Sequence, residues 1–242
     1  MTGGNGGIGL AMAKAMAEAG AAIVVAGRNP AKNSQAVKEL ESSGAKAISI
    51  AADMTEEHSC RKMVGETVHA FGRLDILINN AGMSIRKLPQ DYTLAEWNTV
   101  LSSNLTGAFV CSQAAYPEFK KAGGGKVINI ASMLSIFGLP FAVAYGTSKG
   151  GIVQMTKGLA VAWAPDRIQV NAVLPGWIDT DLTRSARKAV PGLHDRVLAR
   201  SPSGRWGEPG DLGGIAVFLA SAASDFVTGG AFPVDGGYSA QG

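Results

Sequence analysis

Short apolar runs rich in valine and isoleucine alternate along the chain with longer stretches of helical period. The strand-like runs cover Ala22 to Ala26, Ala47 to Ala51, Leu74 to Asn79, Lys126 to Ala131, Arg167 to Val173 and Ala231 to Val234. The stretches between them carry readable helix ends. Asn29-Pro30 offers an N-cap with proline at the first helical position, and Thr93 with Glu96 has capping-box spacing. Gly20 and Gly44 stand where helices stop before strands. This is the βαβ rhythm of a parallel sheet. No Pro/Gly/Ser linker, repeat or low-complexity tract divides the 242 residues, so one α/β domain over 1–242 is expected.

Composition narrows the partners. With 46% hydrophobic and 17% charged residues the chain has the makings of a packed globule. The net charge is only +3 and the 22 basic residues are scattered, which argues against nucleic acid. Cys60 and Cys111 cannot form a disulfide framework and read as thiols in a reducing cytosol. His58, His69 and His194 have no metal-ligand spacing. No apolar run is long enough to span a bilayer, and Met1 leads directly into glycines, so no membrane partner and a cytoplasmic location are expected.

The candidate chemistry lies in Tyr145-Gly146-Thr147-Ser148-Lys149, with Ser132 thirteen residues upstream of Tyr145 and Asn104 further back. Residues four apart on a helix share a face, so phenol and ammonium can enter one cleft. A unit charge about 4 Å away, at an effective dielectric of about 20, is worth roughly 4 kcal/mol or about three pKa units. Such a tyrosine could exchange a proton with an oxygen near neutral pH. Taken singly, each residue has a plainer reading: packing for the tyrosine, solvation for the lysine, a cap for Ser132. Separately, Thr2-Gly3-Gly4-Asn5-Gly6-Gly7-Ile8-Gly9 is a glycine-rich turn opening a helix whose apolar face includes Ile8, Met12 and Ala15. Such a turn lets backbone approach a pyrophosphate at a helix N-terminus.

These motifs together resemble the short-chain dehydrogenases/reductases: TGxxxGxG at Thr2, Gly3, Gly7 and Gly9, Asn79-Asn80-Ala81-Gly82, then Asn104, Ser132, Tyr145, Lys149 and Pro175-Gly176, through Asp235-Gly236-Gly237. The resemblance implies a Rossmann-type, doubly wound parallel sheet with helices on both faces, and hydride transfer between a nicotinamide and a ketone or secondary alcohol. It implies Tyr145 as general acid and base, Lys149 lowering its pKa and holding the ribose, Ser132 bonding the substrate oxygen, and Asn104 anchoring a proton-relay water. Asn80, Ala81 and Gly82 would pass close to the cofactor. Pro175, Gly176, Ile178 and Thr180 would meet the nicotinamide, and Asp53 and Met54 the adenine. A residue such as Asp53 equally serves as a cap for a helix starting near Thr55.

For the cofactor, Gly27 occupies the place where an NAD-preferring member carries an acid, and Arg28 and Asn29 follow. A guanidinium suits a 2'-phosphate, so NADP(H) is favoured over NAD(H). Residues 181–205 occupy the place of the family's mobile substrate loop. Met83, Met133, Ile136, Leu139, Phe141 and Trp177 suggest a largely apolar substrate site. Ala131 to Ser135 and Leu88 to Asn98 are similar to members acting on sugars and sugar acids, and the 3-oxoacyl-carrier-protein reductases are also close. The family further implies a homo-oligomer of two or four chains.

The family places an apolar strand before the glycine-rich turn, whereas here only Met1 precedes it. The central strand is therefore expected to be missing, through a late start codon or an altered centre, leaving its neighbours unpaired and the phosphate loop unanchored. A non-catalytic nucleotide-binding or assembly protein is the alternative that follows.

Overall fold

The computed structural model describes residues 1–241. Six strands lie parallel: β1 (Ile23–Gly27), β2 (Ala47–Ala51), β3 (Ile76–Asn79), β4 (Gly125–Ile130), β5 (Ile168–Pro175) and β6 (Ala231–Val234). Among the described residues nine α-helices connect and flank them: α1 (Gly7–Glu18), α2 (Pro30–Glu41), α3 (Glu57–Phe71), α4 (Leu94–Leu101), α5 (Gly107–Ala122), α6 (Val143–Trp163), α7 (Asp181–Ala189), α8 (Leu193–Arg200) and α9 (Gly213–Ala220).

Successive strand side chains point to opposite faces. Ile23 and Val25 of β1 join a core with α1, α2 and α9, while Val24 and Ala26 join one with α3, α5 and α6. The result is helices on both faces of a parallel sheet, as expected. On α1 the deeply buried stripe is Met12, Ala13, Met16 and Ala17, rotated from the expected face. The local signals act where they were read. Asn29 accepts from the Lys32 amide, Thr93 and Glu96 form the reciprocal box, and Gly20 and Gly44 take left-handed φ values of 94° and 84° after their helices. No helix among the described residues is long and apolar enough to cross a membrane.

The centre of the sheet corrects one expectation. Strands β1–β2 and β3–β4–β5–β6 form two parts, and Thr2 bridges them by pairing with Ala26 on one side and Asn79 on the other. The Ala26 amide donates to Met1 O, Gly3 donates to Ala26 O, and Thr2 donates to Ile78 O. Thr2 is buried, and its Oγ1 accepts from the amides of Asn80 and Ala81 at 3.0 Å each. The phosphate loop is therefore anchored to both neighbouring strands. Asp53 is a second correction: it caps the turn at Thr55, whose amide and hydroxyl both reach Asp53 Oδ1 at 2.9 Å, while the helix begins later, at Glu57.

Candidate active site

Thr2 leads into a turn that folds under itself because two positions have no side chain. Gly3 has a φ of 61°, and a Cβ at Gly9 would lie 2.3 Å from Gly3 O. Asn80 Nδ2 fastens the turn by donating to Thr2 O and Gly3 O. The first amides of α1 are thereby left facing a cavity of about 480 Å³ that runs from Gly3 to Thr180. Gly3, Asn5, Gly7, Ile8, Gly9, Asn80, Ala81, Gly82, Pro175, Gly176, Ile178 and Thr180 all line it.

Three elements bring side chains to or beside its far end. Tyr145 and Lys149 project from successive turns of α6, and Ser132 follows β4. All three line the cavity. Asn104 comes from a π-helical turn, Ser102–Thr106, between α4 and α5. Such a turn resets the facing of the residues within it and is frequent at functional sites. Asn104 is buried and makes a two-way clasp with Met83, Oδ1 accepting from the amide at 2.8 Å and Nδ2 donating to the carbonyl at 2.9 Å. Its Nδ2 also reaches Ser148 Oγ at 3.0 Å. A Cβ added at Gly82 would touch both Asn104 Oδ1 and Lys149 Nζ, at 3.4 and 3.5 Å, so both side chains border the same backbone position.

Lys149 departs from the simple picture of a charge beside the phenol. Its Nζ donates to Ile130 O at 2.6 Å and lies 5.7 Å from the Tyr145 ring centroid. Burial lowers its pKa to about 8. The Tyr145 phenol is pushed above its ordinary value by burial, and what opposes that is the Ser132 hydroxyl, then the Arg86 guanidinium. The expectation that Lys149 lowers the Tyr145 pKa is not met in this arrangement: burial raises it, and the cation that opposes burial is Arg86.

Arg86 belongs to a second cavity of about 70 Å³ that shares Ser132, Tyr145, Gly176, Leu182 and Thr183 with the first. Met133, Leu139, Phe141 and Trp177 form its apolar wall, whereas Met83 and the exposed Ile136 do not line it. The Trp177 Nε1 is buried there without a hydrogen-bond partner among the described residues. Arg86 donates to Leu182 O at 2.8 Å, tying the cavity to α7.

Residues 181–205 include α7 and α8, with Thr180 capping α7. Asp179 pairs with Arg184 and Arg187, and Arg187 lies 4.3 Å over the Trp206 ring. Trp206 in turn donates to His194 Nδ1.

Comparison with known proteins decides the family. The model described as Enoyl-(Acyl carrier protein) reductase matches residues 3–239. The 2-dehydro-3-deoxy-D-gluconate 5-dehydrogenase of Dickeya dadantii is 40% identical over 242 residues, covering 100% of this chain and 94% of that protein. The chain belongs to the short-chain dehydrogenases/reductases. Within that family, the gluconate 5-dehydrogenase of Gluconobacter oxydans is 36% identical over 98% of this chain and 92% of its own length. The crystal structure of a gluconate 5-dehydrogenase from Burkholderia cenocepacia in complex with NADP and tartrate superposes with a TM-score of 0.94, at 38% identity, over 100% of this chain and 94% of that one.

This short-chain dehydrogenase/reductase is an oxidoreductase, and the alternative of a non-catalytic protein is not supported. Of the residues singled out in its sequence, Thr2, Arg28, Asn29, Asp53, Met54 and Asn104 lie off the lining of the main cavity. Lys32, Gln35 and Glu39 of α2 line it instead, with Asp181 of α7. Lys32 was legible in principle, one turn past the Asn29 cap. Arg86 carried no periodic or motif signal.

Proposed function

We propose that this protein interconverts a secondary alcohol and a ketone on a small sugar acid, using NADP(H). The observation that carries the reading is the convergence of Ser132, Tyr145, Lys149 and Arg86 where the two cavities meet. The large cavity fits a dinucleotide: its volume is within the range of about 300–1,000 Å³ usual for ligand sites. Its floor is the glycine cradle a Cβ would fill, and it opens on a helix N-terminus suited to a pyrophosphate. The backbone of cavity residues Asn5, Gly7, Ile8 and Gly9 would hold the phosphates, Asn80 to Gly82 the ribose, and Gly176, Ile178 and Thr180 the nicotinamide. Thr2 supports them from behind, and Pro175 lines the cavity beside Gly176. When bound, the nicotinamide supplies or accepts the hydride.

The chain's own part is the proton. Burial keeps the Tyr145 phenol protonated at neutral pH, as a general acid for ketone reduction must be. In the oxidative direction the phenol must give its proton up, which nearby Arg86 favours. Ser132 Oγ would donate to the substrate oxygen as charge develops there. Lys149 spends one N–H on Ile130 O, leaving two for ribose hydroxyls. Asn104, clasped to Met83, would hold the relaying water near Lys149.

Arg86 supports the sugar-acid reading. A guanidinium on a small cavity wall beside the reacting oxygen suits a carboxylate, and the unpartnered Trp177 N–H suits a substrate oxygen. In keeping with this, relatives that match over nearly the whole chain include dehydrogenases of gluconate and of 2-dehydro-3-deoxy-D-gluconate. The test is turnover: NADP+ reduction with a panel of sugar acids against the matching neutral sugars. Turnover confined to neutral or apolar alcohols would overturn the substrate class. Lys32 on the cavity lining favours NADP(H), with NAD(H) the second choice. The exposed apolar Leu94 and Phe109, Val161 and Phe226 support self-association into two or four chains, and the buried free thiols Cys60 and Cys111 suit a reducing cytoplasm.

A further inference from the structure

β1 ends at Gly27, whose φ lies outside the left-handed region, so its backbone conformation does not demand glycine. Space does. A Cβ at position 27 would lie 2.7 Å from Asn5 Nδ2 and 2.9 Å from Asn33 Oδ1. Those two atoms are partners in one hydrogen bond, 2.6 Å long. Asn33 is 1% exposed, and its Nδ2 donates to Gly27 O at 2.8 Å and Ile50 O at 3.3 Å. Its carboxamide is thus engaged on both ends, and moving it would strand buried polar groups. Asn5 sits in the glycine-rich turn and lines the main cavity. The pair fastens that turn to the ends of β1 and β2.

An enzyme that grips an unphosphorylated adenosine ribose does so with an acid near this strand end. Here a side chain of any kind at position 27 must first open the Asn5–Asn33 bond. We propose that this bond is a cofactor-specificity latch: it fills the space a ribose-binding carboxylate would need, and so commits the site to a 2'-phosphorylated dinucleotide. Lys32, on the same cavity, supplies a cation for the phosphate. Asn33 acts here as a positioning residue, through Asn5 and the closed position 27. The proposal rests on the NADP(H) reading above.

The experiment titrates the purified full chain with NADPH and with NADH, without substrate, and reads affinity from the melting shift. Gly27→Asp alone should lose NADPH affinity and gain none for NADH. Gly27→Asp with Asn5→Ser, which frees the space, should bind NADH at least about tenfold more tightly than the single variant. A single Gly27→Asp that switches to NADH unaided, or a double variant that gains nothing, overturns the latch. Should Gly27→Asp not fold, Gly27→Ala serves: it should weaken both nucleotides, and Asn5→Ser should restore them, while wild-type binding by Gly27→Ala overturns the latch. A wild-type chain that prefers NADH, or binds neither, overturns the NADP(H) reading and the latch together. An NADPH-preferring wild type whose Gly27→Asp variant switches unaided overturns the latch alone.

Discussion

The wall that carries Tyr145 and the roof formed by α7, with α8 packed behind it, border the same cavity and are built by different means. The wall is fixed by the interior. Lys149 is tied to the end of β4, Asn104 to Met83 and Ser148, and α6 packs along β5. The roof is held by groups near solvent: Asp179 with Arg184 and Arg187, Asp181 with Arg184, and Arg187 on Trp206. A small core of Ala186, Leu193, Val197 and Trp206 lies beneath these pairs. Exposed pairs exchange with water at little cost, whereas buried ones do not. Chemistry that needs sub-ångström placement sits on the first kind of construction, and passage of ligands suits the second.

Four variants press on that contrast. Tyr145→Phe should lower kcat by about 10²–10⁴-fold while leaving the melting temperature near that of the wild type, because the ring still packs and only the proton donor is gone. Retained turnover would show that the wall does not carry the chemistry.

Lys149→Met tests what holding a cation inside the wall costs. Between pH 8 and 10.5 the unfolded chain still binds a proton that folded Lys149 has released. Stability therefore rises with pH across that window by up to about 3 kcal/mol. Subtracting the variant's stability from the wild type's, by urea unfolding at both ends of the window, should recover that rise. A flat difference would mean that the lysine is not paying a burial penalty.

Arg86→Ala joins wall and roof in one test, since the guanidinium both faces Tyr145 and holds Leu182 O. KM for a sugar acid should rise by about 10–100-fold, the equivalent of about 1.4–3 kcal/mol, with a smaller change in kcat. An unchanged KM would remove Arg86 from substrate binding. Arg184→Ala should have the smallest effect, a stability loss within about 0.5 kcal/mol by denaturant midpoint. A loss of several times that would mean the roof is as rigid as the wall.

The wall was the more legible region in sequence for the same physical reason. Tyr145 and Lys149 share a helix face at a spacing that periodicity reveals, and the Thr93–Glu96 and Asn29-Pro30 caps act through neighbours a few residues away. Arg86 sits in a loop and gains its meaning from Tyr145, 59 positions later, and from Leu182, 96 positions later. Asn33 carries no mark in the sequence, because its burial arises only when β2 and the glycine-rich turn close over it. The π-helical turn at Asn104 leaves no local mark either, because its extra residue is accommodated by packing against Met83 and Ser148 rather than by a glycine or proline. The tyrosine's electrostatics were misread for a related reason: spacing along α6 gives the distance to Lys149 but not the direction its ammonium takes.

Thr2 carries a consequence for how the protein comes apart. The residue that stitches β1 to β3 is also the first residue of the loop beneath the cavity, so the two parts of the sheet and the nucleotide floor share one set of hydrogen bonds. Opening the floor and parting the sheet are then a single event on the unfolding landscape. Amide protons of β1 and β3 should exchange together, and nucleotide should slow both sets by the same factor although it touches neither strand's interior.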